Sequence, residues 1–308
     1  MQKGPPTPKG FRDIKPELAK KKREVILKIS EVLEEFGFEP IETPTIEFAE
    51  TLKGKYGEEE KLIYEFKDRG GRDLALRYDL TVPLARYVAT YNPPLPFRRY
   101  QIGQVFRGEN PQAGRYREFT QFDFDTVGSS DLEEDAKIIA AAQKAVKNLG
   151  LLDAQMLIND RKNFEDIPQD VIRAIDKLHK VGEKGVKDEL LAKNLALDDI
   201  ESHLFKIKSA KPTETLEKIF NLLEKDHQLK KDKDFLFDPT LARGLDYYTG
   251  AIFELKPSGD PKTLSIGSGG RYDNLIGMFV YPDKGGTTKE TPAVGFSFGL
   301  DRLIEALG

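Results

Sequence analysis

Arg107, Arg115 and Arg117 crowd together with Glu109 and Phe119 within residues 97–128, FRRYQIGQVFRGENPQAGRYREFTQFDFDTVG. Arg107, Arg115 and Arg117 supply the cations. A planar guanidinium grips a phosphate through two parallel hydrogen bonds, so several on one bent element suit a polyphosphate. Phe119 offers a flat face for a base, and Glu109 could accept from an exocyclic amine. The following residues alternate, with Phe119, Gln121, Asp123 and Asp125 on one face and Thr120, Phe122 and Phe124 on the other. That puts more polar groups on one side of a strand than solvent exposure alone requires. The same segment also fits an ordinary hairpin with a solvated charged loop.

The elements that must hold these groups follow from spacing and breakers. Residues 98–109 read as the outgoing strand and 110–117 as a loop broken by Pro111 and Gly114. A helix is expected over 16–36, with Pro16 in its first turn and Leu18, Val25, Ile29, Val32 and Phe36 on a core face. Its basic run, Lys20 to Arg23, reads as a solvated face, with RNA contact as the minority reading. Gly37 ends that helix, and 38–47 reads as a strand interrupted by Pro44. A hairpin around Arg69, Gly70 and Gly71 follows, then a strand-to-helix join at Asp79 and Thr81, where a carboxylate suits a helix N-cap. Residues 131–149 read as helix and 154–158 as strand.

Between 161 and 233 the chain turns helical and highly charged, and we expect an inserted helical domain there. It holds all three histidines, His179, His203 and His227, far from every other motif, which argues against a histidine base or a histidine-ligated metal. Beyond it, Gly244 would allow an unusual backbone angle or a close approach. Strands are expected at 251–255 and 264–266, and the glycines after Ile266 read as a turn. Arg271 and Asp273 suit an ion pair, and 281–291 a polar mobile loop. A buried strand over 294–298 leads into a helix over 300–307. Arg302 then lies in a first helical turn, where the helix dipole opposes a cation and a bound phosphate would offset that.

Composition sets outer bounds. A chain of 308 residues, 39% hydrophobic and 32% charged, suits one large globular domain or two. No apolar run is long enough to span a bilayer, and no apolar leader opens the sequence. Without cysteine, neither disulfides nor thiolate metal sites can form, which fits a reducing cytoplasm. The formal net charge of −4 gives no support to a nucleic-acid partner, so RNA would need a local basic surface.

Four stretches together resemble one family. FRGE, GRYREF and QFDFD are similar to motif 2 of the class II aminoacyl-tRNA synthetases in its histidyl form. LARGLDYYTG (241–250) and GSGGRYDNL (267–275) resemble the two histidine-specific signatures, and AVGFSFGLDRL (293–303) resembles motif 3. The helix and Pro-containing strand near the start resemble motif 1, which implies a homodimer. The resemblance covers essentially the whole chain. It implies an α+β fold, a mainly antiparallel sheet flanked by helices, with residues 1–160 and 234–308 as the catalytic domain and 161–233 as a helical insertion.

The implied reaction is attack of the L-histidine carboxylate on the α-phosphate of ATP, then transfer of histidyl to tRNA(His). A carboxylate is already ionised at neutral pH, so the difficulty is charge repulsion, and the remedy is cations without a general base. By resemblance, Arg107 and Arg243 grip the α-phosphate from two sides. Arg115 and Arg302 hold the β- and γ-phosphates with Mg²⁺ bridging the same oxygens, and Glu109 and Phe119 read and stack the adenine. Asp79, with Thr81 beside it, would hold the α-ammonium. Gln121, Asp125, Tyr247, Tyr248 and Tyr272 are the candidates for the imidazole, and Tyr247 and Tyr248 point to opposite faces if extended. Aspartate at both 79 and 125 is closer to the archaeal and eukaryotic members, where bacterial ones often carry Glu.

Full-length members continue past motif 3 into an anticodon-binding domain, and this sequence stops at Gly308. Two other readings compete. One is the histidine-sensing regulatory subunit of ATP phosphoribosyltransferase, a non-catalytic paralogue that typically erodes the motif 2 arginines and RGLDYYTG, both whole here. The other is a binding module for another nucleotide, which explains the arginines but not the imidazole-matched pocket.

Overall fold

Pro16 opens helix α1 (Pro16–Glu35), whose buried Val25, Ile29, Val32 and Leu33 recur at helical spacing. The computed structural model describes residues 5–110, 115–243, 247–259, 263–279 and 290–308. After α1 come β1 (Glu39–Pro40), β2 (Ile46–Phe48), the short α2 (Ala49–Leu52), β3 (Glu65–Lys67), β4 (Asp73–Leu76) and α3 (Thr81–Tyr91). The long hairpin is β5 (Phe97–Phe106) and β6 (Glu118–Val127). Then follow α4 (Leu132–Asn148), β7 (Gln155–Asp160), α5 (Gln169–Ile175), α6 (Leu178–Ala192), α7 (Leu197–Lys208) and α8 (Glu214–Lys225). The chain closes with β8 (Phe235–Phe237), β9 (Ala251–Lys256), β10 (Gly267–Arg271), β11 (Ala293–Gly299) and α9 (Leu300–Ala306).

Eight strands form one sheet in the order β1-β5-β6-β11-β10-β9-β7-β8, parallel only at its two edges. One face is packed by α1, α4, α8 and α9 around Phe122, Phe124, Phe253, Phe296 and Phe298. The other carries a second cluster that includes Tyr248, Tyr272 and the buried residues of α5, α6 and α7. No helix among the described residues is long and apolar enough to cross a membrane.

The expected α+β architecture with a mainly antiparallel sheet is what the structure shows. Three local expectations need correction. Residues 38–47 do not form one strand: β1 joins the large sheet, while β2 pairs with β4 in a separate three-stranded sheet. The short strand expected at 264–266 lies one segment later, in the glycines themselves. A Cβ on Gly269 would stand 2.1 Å from the Gly295 carbonyl oxygen, so close backbone approach, not turn formation, explains the glycine there. The basic run on α1 is not uniformly solvated: Lys21 donates to the Gly308 carbonyl at 2.6 Å, and Lys22 reaches Thr120 Oγ1. Arg271 and Asp273 do pair, at 3.4 Å, within a larger contact of Arg271 with Asp135 on α4. The expectations for Pro111 and Gly114, for Gly244 and for most of 281–291 fall outside the described residues.

Candidate active site

Register across the sheet decides which polar groups share a surface. Directly opposed residues lie on one face, so Gln101, Asp123, Ser297, Ser268 and Glu254 form a continuous polar row across β5, β6, β11, β10 and β9. The adjacent row is Arg99, Asp125, Gly295, Gly270 and Ile252. The alternation predicted for β6 therefore holds: Phe122 and Phe124 enter the helical core, while Gln121, Asp123 and Asp125 face the other way and are nonetheless buried. Gln121 Oε1, Asp123 Oδ1 and Arg243 Nε have no hydrogen-bond partner, as expected where a ligand completes a buried polar site.

The arginines gather over this surface. The Arg107 guanidinium carbon lies 4.3 Å from the ring centre of Tyr78 and 5.1 Å from that of Phe119, a cation–π sandwich. Arg243 reaches the polar row from the other side, donating to Ser268 Oγ at 2.9 Å and pairing with Glu254 at 3.3 Å. Arg302, in the first turn of α9, lies in electrostatic range of Arg107, Arg115 and Glu109 and also of Glu254. Burial and then the charge of Arg115 press its guanidinium below the usual range, a local excess of positive charge that suits a polyanion.

The motif 2 hairpin divides its cations. Arg115 is exposed and pairs with Glu109 at 3.3 Å, so the acid expected to read adenine and the arginine expected to hold a phosphate contact each other. Arg117 is structural: its Nε donates to the Glu109 carbonyl at 3.0 Å, and its amide donates to Gly10 O at 2.9 Å, tying down the N-terminal lead-in.

Asp79 is buried and receives three hydrogen bonds, from Tyr56 Oη at 2.9 Å and from the amides of Thr81 and Val82 at 3.1 and 3.0 Å. The N-cap position of α3 is Leu80, so Asp79 stands one residue before the expected place, yet its carboxylate accepts from the first two amides of the helix. Burial raises its pKa, opposed by those hydrogen bonds and by Arg107. Asp125 accepts from Tyr272 Oη and pairs with Arg99 at 2.7 Å. Tyr248 lies over Gly270, where a Cβ would come within 2.9 Å of its ring. The Tyr247 and Tyr248 rings are 4.8 Å apart and Tyr247 is 5.9 Å from Tyr272, so the pair does not diverge to opposite faces. The segment turns there rather than extending.

The sequence profile described as histidyl-tRNA synthetase matches residues 10–180 and 162–303. The chain belongs to the histidyl-tRNA synthetase family. It is similar to the histidine–tRNA ligase of Aeropyrum pernix, 43% identical over 331 aligned positions that cover 98% of this chain and 74% of that one. Among solved structures it resembles a Nostoc histidyl-tRNA synthetase, with TM-score 0.81, 30% identity, and 99% and 76% of the two chains covered. It also resembles a Bacillus halodurans protein described as an ATP phosphoribosyltransferase regulatory subunit/histidyl-tRNA synthetase, with TM-score 0.77, 27% identity, and 98% and 83% covered.

In this histidyl-tRNA synthetase chain, residues expected from segments far apart in sequence meet over one sheet face. Sequence reasoning missed several of their partners: Arg99 beside Asp125, Tyr56 on Asp79, Tyr78 under Arg107, Glu254 and Ser268 on Arg243, and Ser297 on Gln121. Alternation in β5 offered a signal for Arg99: its neighbour Arg98 pairs with Glu134 on the helical side, so Arg99 must face the site.

Proposed function

We propose that this chain activates L-histidine with ATP, forming histidyl-adenylate and pyrophosphate, and then transfers histidyl to tRNA(His), as a histidine–tRNA ligase. The observation that carries this reading is the placement of Arg107 and Arg243 over the same sheet face as Gln121 and Asp125. A histidine carboxylate oxygen attacks the α-phosphorus, the bond to the bridging oxygen breaks, and pyrophosphate leaves with that electron pair. No proton moves in this step. Arg107 and Arg243 lower the repulsion between the two anions and hold them in line. Arg115 and Arg302 take the outgoing phosphates, and Phe119 and Glu109 orient the base. Asp79, with Thr81, faces the α-ammonium, and Gln121, Asp125, Tyr247, Tyr248 and Tyr272 surround the imidazole. In the second step an acceptor hydroxyl of the tRNA attacks the histidyl carbonyl, the bond from that carbon to the phosphate oxygen breaks, and AMP leaves with its phosphate taking up the hydroxyl proton.

Among the described residues no group of three or more His, Cys, Asp or Glu could hold a metal ion. That fits Mg²⁺ carried on the nucleotide, which typically uses phosphate oxygens and a carboxylate or two. Glu254, beside Arg243, is the carboxylate that would join them. The ion would neutralise charge on the β- and γ-phosphates.

A homodimer is supported by the three-stranded sheet. Ile46, Phe48 and Phe66 are exposed on one face of β2-β4-β3, an apolar surface suited to a second copy. The cysteine-free composition supports a cytoplasmic setting. The regulatory-subunit reading needs no phosphate-gripping arginines, and the presence of both Arg107 and Arg243 supports the ligase reading over it. Histidine-dependent ATP–pyrophosphate exchange by the purified chain tests the proposal. Exchange supports it, and histidine binding without exchange would instead favour the regulatory reading.

A further inference from the structure

Arg99 is fully buried on β5, and nothing in the reaction just described requires it to touch a substrate. A buried charge costs several kcal/mol unless it is well paired, so its retention calls for a reason. It pairs with Asp125 Oδ2 at 2.7 Å and donates to the backbone carbonyls of Leu80 at 3.3 Å and Asp123 at 3.5 Å. Three buried carboxylates, Asp79, Asp123 and Asp125, surround this end of the sheet. On the opposite side of Asp123, Gln121 Nε2 donates to Ser297 Oγ at 2.9 Å, and Ser297 hydrogen-bonds in turn to Asp123. Gln121, Ser297 and Asp123 are thus linked on one side, and Arg99, donating to the Asp123 backbone carbonyl, connects that strand to Asp125 and Tyr272.

We propose that Arg99 and Asp123 are positioning residues that hold Asp125 fixed and ionised as the acceptor for an imidazole N–H, and thereby set selectivity for histidine. The proposal rests on the histidine-activating reading above. Tyr272 Oη hydrogen-bonds one Asp125 oxygen and Arg99 Nη2 lies 2.7 Å from the other as an ion pair, so the carboxylate is held from both sides. An ionised carboxylate only accepts, so the amino-acid side chain must present a donor. Three carboxylates against this guanidinium carry excess negative charge, and a buried cluster relieves such an excess by keeping a proton. Burial pushes the Asp123 carboxyl up to about 7, opposed by Arg99 and reinforced by Asp125 and Asp79. Arg77 also faces Asp123, from the end of β4. Asp125 is raised by burial too, but Arg99 and the Tyr272 hydroxyl both oppose that rise. The two carboxyl groups on one strand thus have different partners, Asp125 the Arg99 guanidinium and the Tyr272 hydroxyl, Asp123 the Ser297 hydroxyl.

The test is histidine-dependent ATP–pyrophosphate exchange by the wild type, Asp123→Asn and Arg99→Lys, with KM for histidine, KM for ATP and kcat followed over about pH 6–9. Titration of free histidine is common to all three proteins and cancels in the comparison. In Asp123→Asn we expect KM for histidine to lose an inflection near neutrality that the wild type shows, with KM for ATP within about two-fold of wild type. In Arg99→Lys, KM for histidine should rise about ten-fold or more while KM for ATP barely moves, because a single ammonium cannot face Asp125 while also donating to the Leu80 and Asp123 carbonyls. An Asp123→Asn profile superimposable on wild type, or parallel rises in both KM values, would overturn the proposal. If Arg99→Lys fails to fold, Asp123→Asn decides alone by the same criterion. A wild type inert in exchange would overturn the histidine-activating reading and this proposal with it, whereas an active wild type with an unchanged Asp123→Asn variant overturns the proposal alone.

Discussion

Gly295 stands directly across β11 and β6 from Asp125, and a Cβ at that position would lie 1.8 Å from Asp125 Oδ1. The Asp125 side chain therefore occupies space that only glycine leaves open. Gly295→Ala must push the carboxylate aside, against Tyr272 and Arg99. A displacement near 1 Å can cost about 100-fold in rate, so kcat/KM for histidine should fall by about that factor in exchange assays. An Ala variant with wild-type kinetics would show that Asp125 has room to move.

Removing Arg243 should separate chemistry from folding. Its partner Glu254 also pairs with Lys256 at 3.1 Å, so Arg243→Ala leaves no carboxylate stranded. Thermal melting should change little, while exchange falls by about 100- to 1,000-fold or more, the scale seen when a group that stabilises transition-state charge is lost. Unchanged exchange would remove Arg243 from the chemistry.

Asp123 ties stability to pH. Its carboxyl is raised from 3.8 to about 7, so the folded chain holds more protons than the unfolded one between those values. Stability from this group is thus greatest at low pH and is lost as pH rises toward 7. Asparagine at 123 does not titrate. The gain in Tm of Asp123→Asn over wild type should therefore be larger at about pH 8 than at about pH 5, measured by calorimetry. A gain that shrinks with rising pH would contradict the assignment.

The apolar face of the small sheet predicts assembly. Phe48 and Phe66 both oppose Leu74 of β4, so they lie on one surface, and both are exposed. Sedimentation of the wild type at micromolar concentration should give a dimer, and Phe48→Lys with Phe66→Lys a monomer. A monomeric wild type would count against the pairing.

Much of this was legible in the sequence because it is encoded locally. The alternation of Gln121, Asp123 and Asp125 identified the site face of β6, and the helices read over 16–36 and 131–149 lie within a residue of the observed ends. Groups fixed by distant neighbours were harder to read. Gly267 to Gly270 resembled a turn because the reason for those glycines, the Gly295 carbonyl and the Tyr248 ring, lies on other segments. Arg99 drew no reading from the sequence, because its opposition to Asp125 is set by hairpin register. Tyr247 and Tyr248 were judged from strand geometry, and their segment turns instead.

The sandwich of Arg107 between Tyr78 and Phe119 also limits how the reaction can be approached. With the guanidinium against one side of the Phe119 ring, a purine stacked there as proposed would have a single side on which to lie. That restriction passes through the ribose to the phosphorus, whose two prochiral oxygens are no longer equivalent. A nucleotide with sulfur in place of one of those oxygens should therefore be accepted as one diastereomer.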